Sequence, residues 1–266
     1  MSNRTVFIEG IPGSGKSTLL KTLHAGLPGF RAYYEGDITP LELAWCAYMS
    51  PEQYAAAENT YPQLLQAIRS HTERQGAHFV TAYTRITSRD RSFYTYMEQF
   101  EIYSGRRPFT QFQEILLDRF HSLPDENALY ECALLQNILE ELMLFACCTD
   151  AQILSFYRQL FSFLDTDRIR VIRLIPQDIA QSIEAIRRER TDKQGKETWF
   201  PMMLHYLSSS PYGKVQHYCD FDSVVAHFRR RTALEGQILS LLPPDCRLEL
   251  YSRAQPEIHA LRWLNS

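Results

Sequence analysis

The chain opens with Thr5-Val6-Phe7-Ile8-Glu9-Gly10-Ile11-Pro12-Gly13-Ser14-Gly15-Lys16-Ser17-Thr18-Leu19-Leu20, and this stretch decides the reading. Residues 5–9 form an apolar run that reads as a short buried strand, and residues 18–23 read as the first turns of a helix. Between them, Gly10 to Ser17 matches G-x-x-x-x-G-K-[ST] at every fixed position. The glycines allow the backbone to curl until its N–H groups face phosphate oxygens, and the following helix adds the favourable end of its dipole. Gly10, Ile11, Pro12, Gly13, Ser14, Gly15, Lys16, Ser17 and Thr18 are therefore the expected phosphate-binding residues. Lys16 is placed to reach the β- and γ-phosphates of a nucleoside triphosphate, and Ser17 to bind Mg²⁺ through its hydroxyl.

Working outward, residues 30–34, 127–130, 168–175 and 247–251 read as further strands, and 78–83 as a strand or an extended wall. Helical patterns cover 40–48, 51–75, 90–103, 108–123, 134–148, 150–164, 178–190, 223–242 and 256–264. Strands separated by helices imply a three-layer α/β/α fold with a mostly parallel, five-stranded sheet. The stretch from about 40 to 125 carries no clean linker and reads as a largely helical insertion in a single domain.

A net charge of −3 argues against a general nucleic-acid or membrane-surface partner. The six cysteines show no C-x-x-C pair and no zinc-ligand spacing, so they read as reduced thiols of a cytoplasmic protein. No signal peptide fits ahead of the first strand, and no apolar run is long enough to span a bilayer. The apolar run 134–148 suits either a core or the face of a homodimer.

The sequence resembles the nucleoside and nucleotide kinases of the P-loop superfamily, thymidylate and deoxynucleoside kinases above all. Three features carry the resemblance: the loop Gly10–Ser17; Glu131 just after a strand; and Val171-Ile172-Arg173-Leu174-Ile175-Pro176 leading into a helix that ends in Arg187, Arg188 and Arg190. The resemblance implies ATP as donor, Mg²⁺ as cofactor, and a lid at about 187–200 whose arginines close over the phosphates. It departs from the group at two places. Glu131-Cys132-Ala133 lacks the expected arginine, and Glu35-Gly36-Asp37 stands where deoxynucleoside kinases carry Glu-Pro.

Phosphoryl transfer is mostly positioning and charge neutralisation, which gives each candidate a role. Lys16, Arg187 and Arg190 are the candidate catalytic cations, with Arg188 beside them on the nucleotide. An exposed basic helix end is the plainer reading of the same three arginines. Glu35 and Asp37 are the candidates to accept the acceptor's proton, against the plain alternative of turn chemistry. Ser17 and Glu131 are the candidate metal ligands. Tyr83 and Arg85 follow a β-like run and are the candidate acceptor-binding pair.

The expected activity is that of a kinase moving the γ-phosphate of ATP to a small nucleoside- or nucleotide-like acceptor. A non-nucleoside acceptor such as an antibiotic is the nearest alternative, and a nucleotide-dependent regulatory ATPase the next. Against the latter, N-K-x-D is absent, and Asp192-Lys193-Gln194-Gly195 matches D-x-x-G only inside the expected lid.

Overall fold

A computed structural model describes residues 4–252 and 256–264, and the chain divides into two compact units. The first joins Met1–Ala32 to Asp125–Ser266, and the second is Tyr33–Pro124.

The first unit is built on a sheet ordered β2–β6–β1–β7–β8, made of β1 (Thr5–Gly10), β2 (Arg31–Tyr33), β6 (Ala128–Glu131), β7 (Ile169–Ile175) and β8 (Arg247–Tyr251). β1 runs parallel to β6 and to β7, and β7 parallel to β8. Val6, Phe7 and Ile8 are fully buried, as expected of a central strand covered on both faces. The helices are α1 (Lys16–Gly26), α6 (Gln136–Glu140), α7 (Asp150–Phe161), α8 (Ile179–Glu189), α9 (Trp199–Ser209), α10 (Pro211–Val215), α11 (Phe221–Leu239) and α12 (Pro256–Leu264). α1 packs on α12, while α11 packs on α7, α8 and α9. From β1 the chain crosses towards β2, and from β6 it crosses the other way to β7. The carboxyl ends of β1 and β6 therefore flank the switch point where such sheets bind ligands.

The second unit holds β3 (Ala47–Met49), β4 (Thr72–Gln75) and β5 (His78–Thr81) in an antiparallel sheet of order β3–β5–β4. With it go α2 (Pro51–Thr60), α3 (Leu65–Ser70), α4 (Arg91–Glu98) and α5 (Phe109–His121). Its core gathers Met49, Ala57, Ile68, Tyr83, Phe93 and Met97, with Tyr61 edge-on to Phe93 and Tyr96.

Three expectations need correction. Residues 40–48 are not helical. The Thr39 hydroxyl accepts from the amides of Leu41 and Glu42, and the Glu42 carboxylate accepts from Ala44 N–H, so side chains take the bonds a helix would need. The helix expected over 51–75 stops at Thr60. Pro62 offers no N–H, Tyr61 before it is driven to φ −123° and ψ 59°, and the end of the stretch becomes β4. The run 134–148 is α6 followed by a π-helical turn at Glu141–Phe145, and the chain then leaves through Cys147 at φ 50°. Leu134, Leu135, Ile138, Leu139, Leu142, Met143 and Leu144 are all fully buried, which makes this run core of the first unit.

Candidate phosphate-binding site

The loop after β1 turns on its glycines. Gly10 sits at φ 148°, Gly13 at 72° and Gly15 at 96°, conformations that L side chains rarely adopt. Two of them are also tight in space. A Cβ on Gly10 would fall 2.6 Å from the Leu174 carbonyl oxygen, and one on Gly13 would fall 2.4 Å from Ile186 Cγ1 of α8. The loop is therefore packed against the helix that ends in the arginines. Gly15, with open space around it, is the N-cap of α1, so the first amides of α1 are left for an anion.

Lys16 is buried, and its Nζ donates to the carbonyls of Gly10 and Ile11, both at 2.9 Å. An ammonium has three hydrogens, so the side chain is folded over the loop with one donor beyond these two. Ser17 Oγ donates to Glu131 Oε1 at 2.5 Å. The structure thus brings together the two residues expected to hold a metal: Ser17 at the start of α1 and Glu131 at the end of β6. Among the described residues no group of three or more His, Cys, Asp or Glu side chains is arranged around a cation position. One hydroxyl and one carboxylate suit Mg²⁺, a hard cation that keeps waters and takes its other oxygens from phosphate.

Glu9 lies one residue before the loop and is fully buried. Its carboxylate accepts from the amides of Leu134 at 2.7 Å and Gln136 at 3.2 Å, tying the end of β1 to the segment that follows Glu131. Burial is the largest influence on this carboxyl and pushes its pKa up to about 7, with Glu235 adding to the rise and the backbone donors opposing it.

The arginine-bearing segment is more structured than its composition suggests. Asp178 caps α8 through Gln181 N–H. After α8, residues 190–198 fold back: Thr191 bridges Glu197, Gly195 turns at φ 79°, and Thr198 N–H returns to Arg190 O. Asp192 accepts from Gln194 and Lys196 N–H, so the D-x-x-G match is turn chemistry. Arg187 donates to Glu197 at 2.9 Å and to Glu184 at 3.1 Å, and its guanidinium lies 4.4 Å from the centre of the Phe200 ring. It braces this fold-back. Arg188 pairs with Glu184 but keeps most of its side chain exposed, and Arg190 is exposed.

In the second unit, Glu35, Asp37 and Arg85 come together. Asp37 N–H returns to Tyr34 O across a turn with Gly36 at φ 83°, the conformation a type II turn requires at that position. Arg85 donates to Asp37 Oδ1 at 2.9 Å and to the Glu35 carbonyl at 3.1 Å. Tyr83, expected beside Arg85, instead points into the core and donates its hydroxyl to Glu101 at 2.6 Å. Sequence reasoning missed Trp45. The residue is 48% exposed, its backbone is at φ 64°, and its Nε1 donates to Glu35 Oε1 at 3.2 Å. A large residue with positive φ is uncommon and costs energy, and the bond from Cys46 N–H to Leu43 O closes the turn that holds it there.

Sheet order, the glycine loop between β1 and α1, and the acid at the end of β6 together define a P-loop-like three-layer α/β fold. No family model matches the chain, and no curated protein matches it. Among solved structures it is similar to a "Sulfotransferase Domain from the Curacin Biosynthetic Pathway", with a TM-score of 0.38 and 12% identity, covering 100% of this chain and 74% of that one. What the site can do is therefore read from its own geometry. No helix among the described residues is long and apolar enough to cross a membrane.

Proposed function

We propose that this protein is an ATP- and Mg²⁺-dependent phosphotransferase acting on a small nucleoside- or nucleotide-like acceptor. The observation that carries the reading is the convergence of the Lys16 ammonium, the Ser17 hydroxyl and the Glu131 carboxylate at one glycine loop. Amides at the start of α1 and the Lys16 ammonium hold the phosphates, and Ser17 with Glu131 holds the metal. Mg²⁺, when bound, neutralises charge between the β- and γ-phosphates. Arg188 and Arg190, the exposed arginines at the end of α8, supply the remaining positive charge. Arg187 keeps the segment in shape.

On the acceptor side we assign Glu35 and Asp37 as the carboxylates that receive or orient the acceptor's proton. Arg85 orders Asp37, and the exposed Trp45 ring offers a flat surface for a planar acceptor.

The test is ADP release from ATP and Mg²⁺ with and without a panel of nucleosides, nucleoside monophosphates and hydroxylated antibiotics, with Lys16→Ala as the blank. Stimulation by one acceptor class, abolished by Lys16→Ala, is the expected result. Release that ignores every acceptor, or that survives Lys16→Ala, would refute the assignment.

A further inference from the structure

The phosphate loop rests on a buried charge cluster that the proposed function leaves unused. Arg231 of α11 is 1% exposed, and it spends its guanidinium on three elements. Nε donates to Glu235 at 2.9 Å, Nη1 to Glu140 of α6 at 2.8 Å, and Nη2 to the Gly10 backbone carbonyl at 3.3 Å. Glu140 is shared with His227, whose Nε2 lies 3.1 Å from Oε1. Glu235 lies 3.8 Å from Arg173 Nη1, and Arg173 pairs through Nη2 with Glu249 at 2.5 Å.

Burying such a cluster brings little stability, because apolar residues of similar volume would fill the space without desolvating charge. One of its donors reaches the phosphate loop. The Gly10 carbonyl accepts from two cations at once: Arg231 on α11 and Lys16 of the loop itself.

We propose that Arg231 is a positioning residue for the phosphate site, and the proposal rests on the phosphate-binding reading given above. When a phosphate oxygen draws Lys16 Nζ–H away from Gly10, the buried carbonyl still has Arg231 as its donor. Without that guanidinium, moving Lys16 would leave a buried acceptor unpaired, and the cost would be charged against binding. Glu140 and Glu235 balance the Arg231 charge, so it holds the loop without competing for the ligand.

The experiment measures binding of Mg²⁺-tripolyphosphate by calorimetry. Ligand-induced shifts in melting temperature extend the range to weak binding. The proteins are wild type, Arg231→Lys, Lys16→Ala and the double variant, each checked by its unliganded melting curve. Lysine keeps the charge opposite Glu140 and Glu235, but its three N–H share one nitrogen and do not reproduce the fork that reaches both carboxylates and Gly10 from three nitrogens. Arg231→Lys should weaken tripolyphosphate about tenfold, the scale set by one unpaired buried acceptor. The same change in the Lys16→Ala background should have almost no effect, since no ammonium then has to leave Gly10. A purely structural Arg231 would lower the melting temperature and leave this coupling at zero.

Binding lost in Lys16→Ala but unchanged in Arg231→Lys, or weakened equally with and without Lys16, overturns this proposal alone. Wild-type protein that does not bind tripolyphosphate, or binds it as Lys16→Ala does, overturns the phosphate-site reading and the proposal with it. If Arg231→Lys does not fold, Glu140→Gln loosens the same guanidinium and is judged by the same coupling.

Discussion

Gly13→Ala is the sharpest probe of how the loop is held. The new Cβ would sit 2.4 Å from Ile186 Cγ1 and 2.7 Å from Cδ1, on a backbone at φ 72°. Two costs follow. A non-glycine residue in the left-handed region costs about 1–2 kcal/mol, and forcing an extra methyl into a filled site costs about 1–3 kcal/mol. Ile186 cannot swing aside, because it is buried on α8 and a β-branched side chain in a helix has essentially one rotamer. The sum is roughly 2–5 kcal/mol, or about 4–20 °C in the melting temperature of a unit this size. The assay is urea and thermal unfolding by circular dichroism, run on Gly13→Ala, Ile186→Ala and the double variant. Ile186→Ala is itself destabilising, by about 2–5 kcal/mol, yet it removes the clash. The double variant should therefore be more stable than the two single losses predict, by the overpacking part of about 1–3 kcal/mol. Strict additivity, or an unchanged melting temperature in Gly13→Ala, would show that the loop does not bear on α8 as described.

Three further outcomes are expected. Glu9, with its native pKa raised to about 7 against 4.5 unperturbed, holds a proton that the unfolded chain has already lost between those values. Its contribution is thus complete below about pH 4.5 and declines as pH rises through 7; Glu9→Gln should remove a decline on the order of 3 kcal/mol, and parallel stability–pH curves for the two proteins would contradict this. Glu131→Gln weakens the partner of Ser17 and should raise the Mg²⁺ needed for half-maximal turnover by about 10–100-fold, while metal-free nucleotide binding stays near wild type; an unchanged Mg²⁺ requirement would remove Glu131 from the metal site. Arg188→Ala with Arg190→Ala should cut kcat with little change in melting temperature, whereas Arg187→Ala should lower the melting temperature through loss of its Glu197 and Phe200 contacts; a reversed pattern would mean the roles are exchanged.

The first unit was largely legible, because its signals are local. The glycine motif, the apolar strands and the caps at Gly15 and Asp178 each act within a few residues of their own position. The second unit was less so. β4 is Thr72-Glu73-Arg74-Gln75, an edge strand with no apolar alternation, and its only cue is the turn at Gly76. Residues 40–48 carry apolar side chains at helical density, yet the deciding bonds come from Thr39 and Glu42. Tyr83 and Arg85 looked like a pair in sequence. The first faces the core and the second faces Asp37, because a single turn of 3₁₀-helix sets them apart.

Arg231 went unread because Arg229-Arg230-Arg231 resembles a solvated basic stripe. Helix phase was the available signal: Val224, Phe228, Arg231, Glu235 and Ile238 fall on one face at spacings of four, three, four and three, with apolar residues on both sides of the charged pair.

The boundary between β2 and β6 has a consequence of its own. To join two parallel neighbours a chain needs only a crossover of a dozen residues or so, for which one helix suffices. Here Tyr33–Pro124 makes that link, with a sheet, four helices and a core of its own. Most of this stretch is therefore exempt from the demands of strand order. Its interior answers to its own core, and strand order constrains only the two ends where it leaves β2 and enters β6.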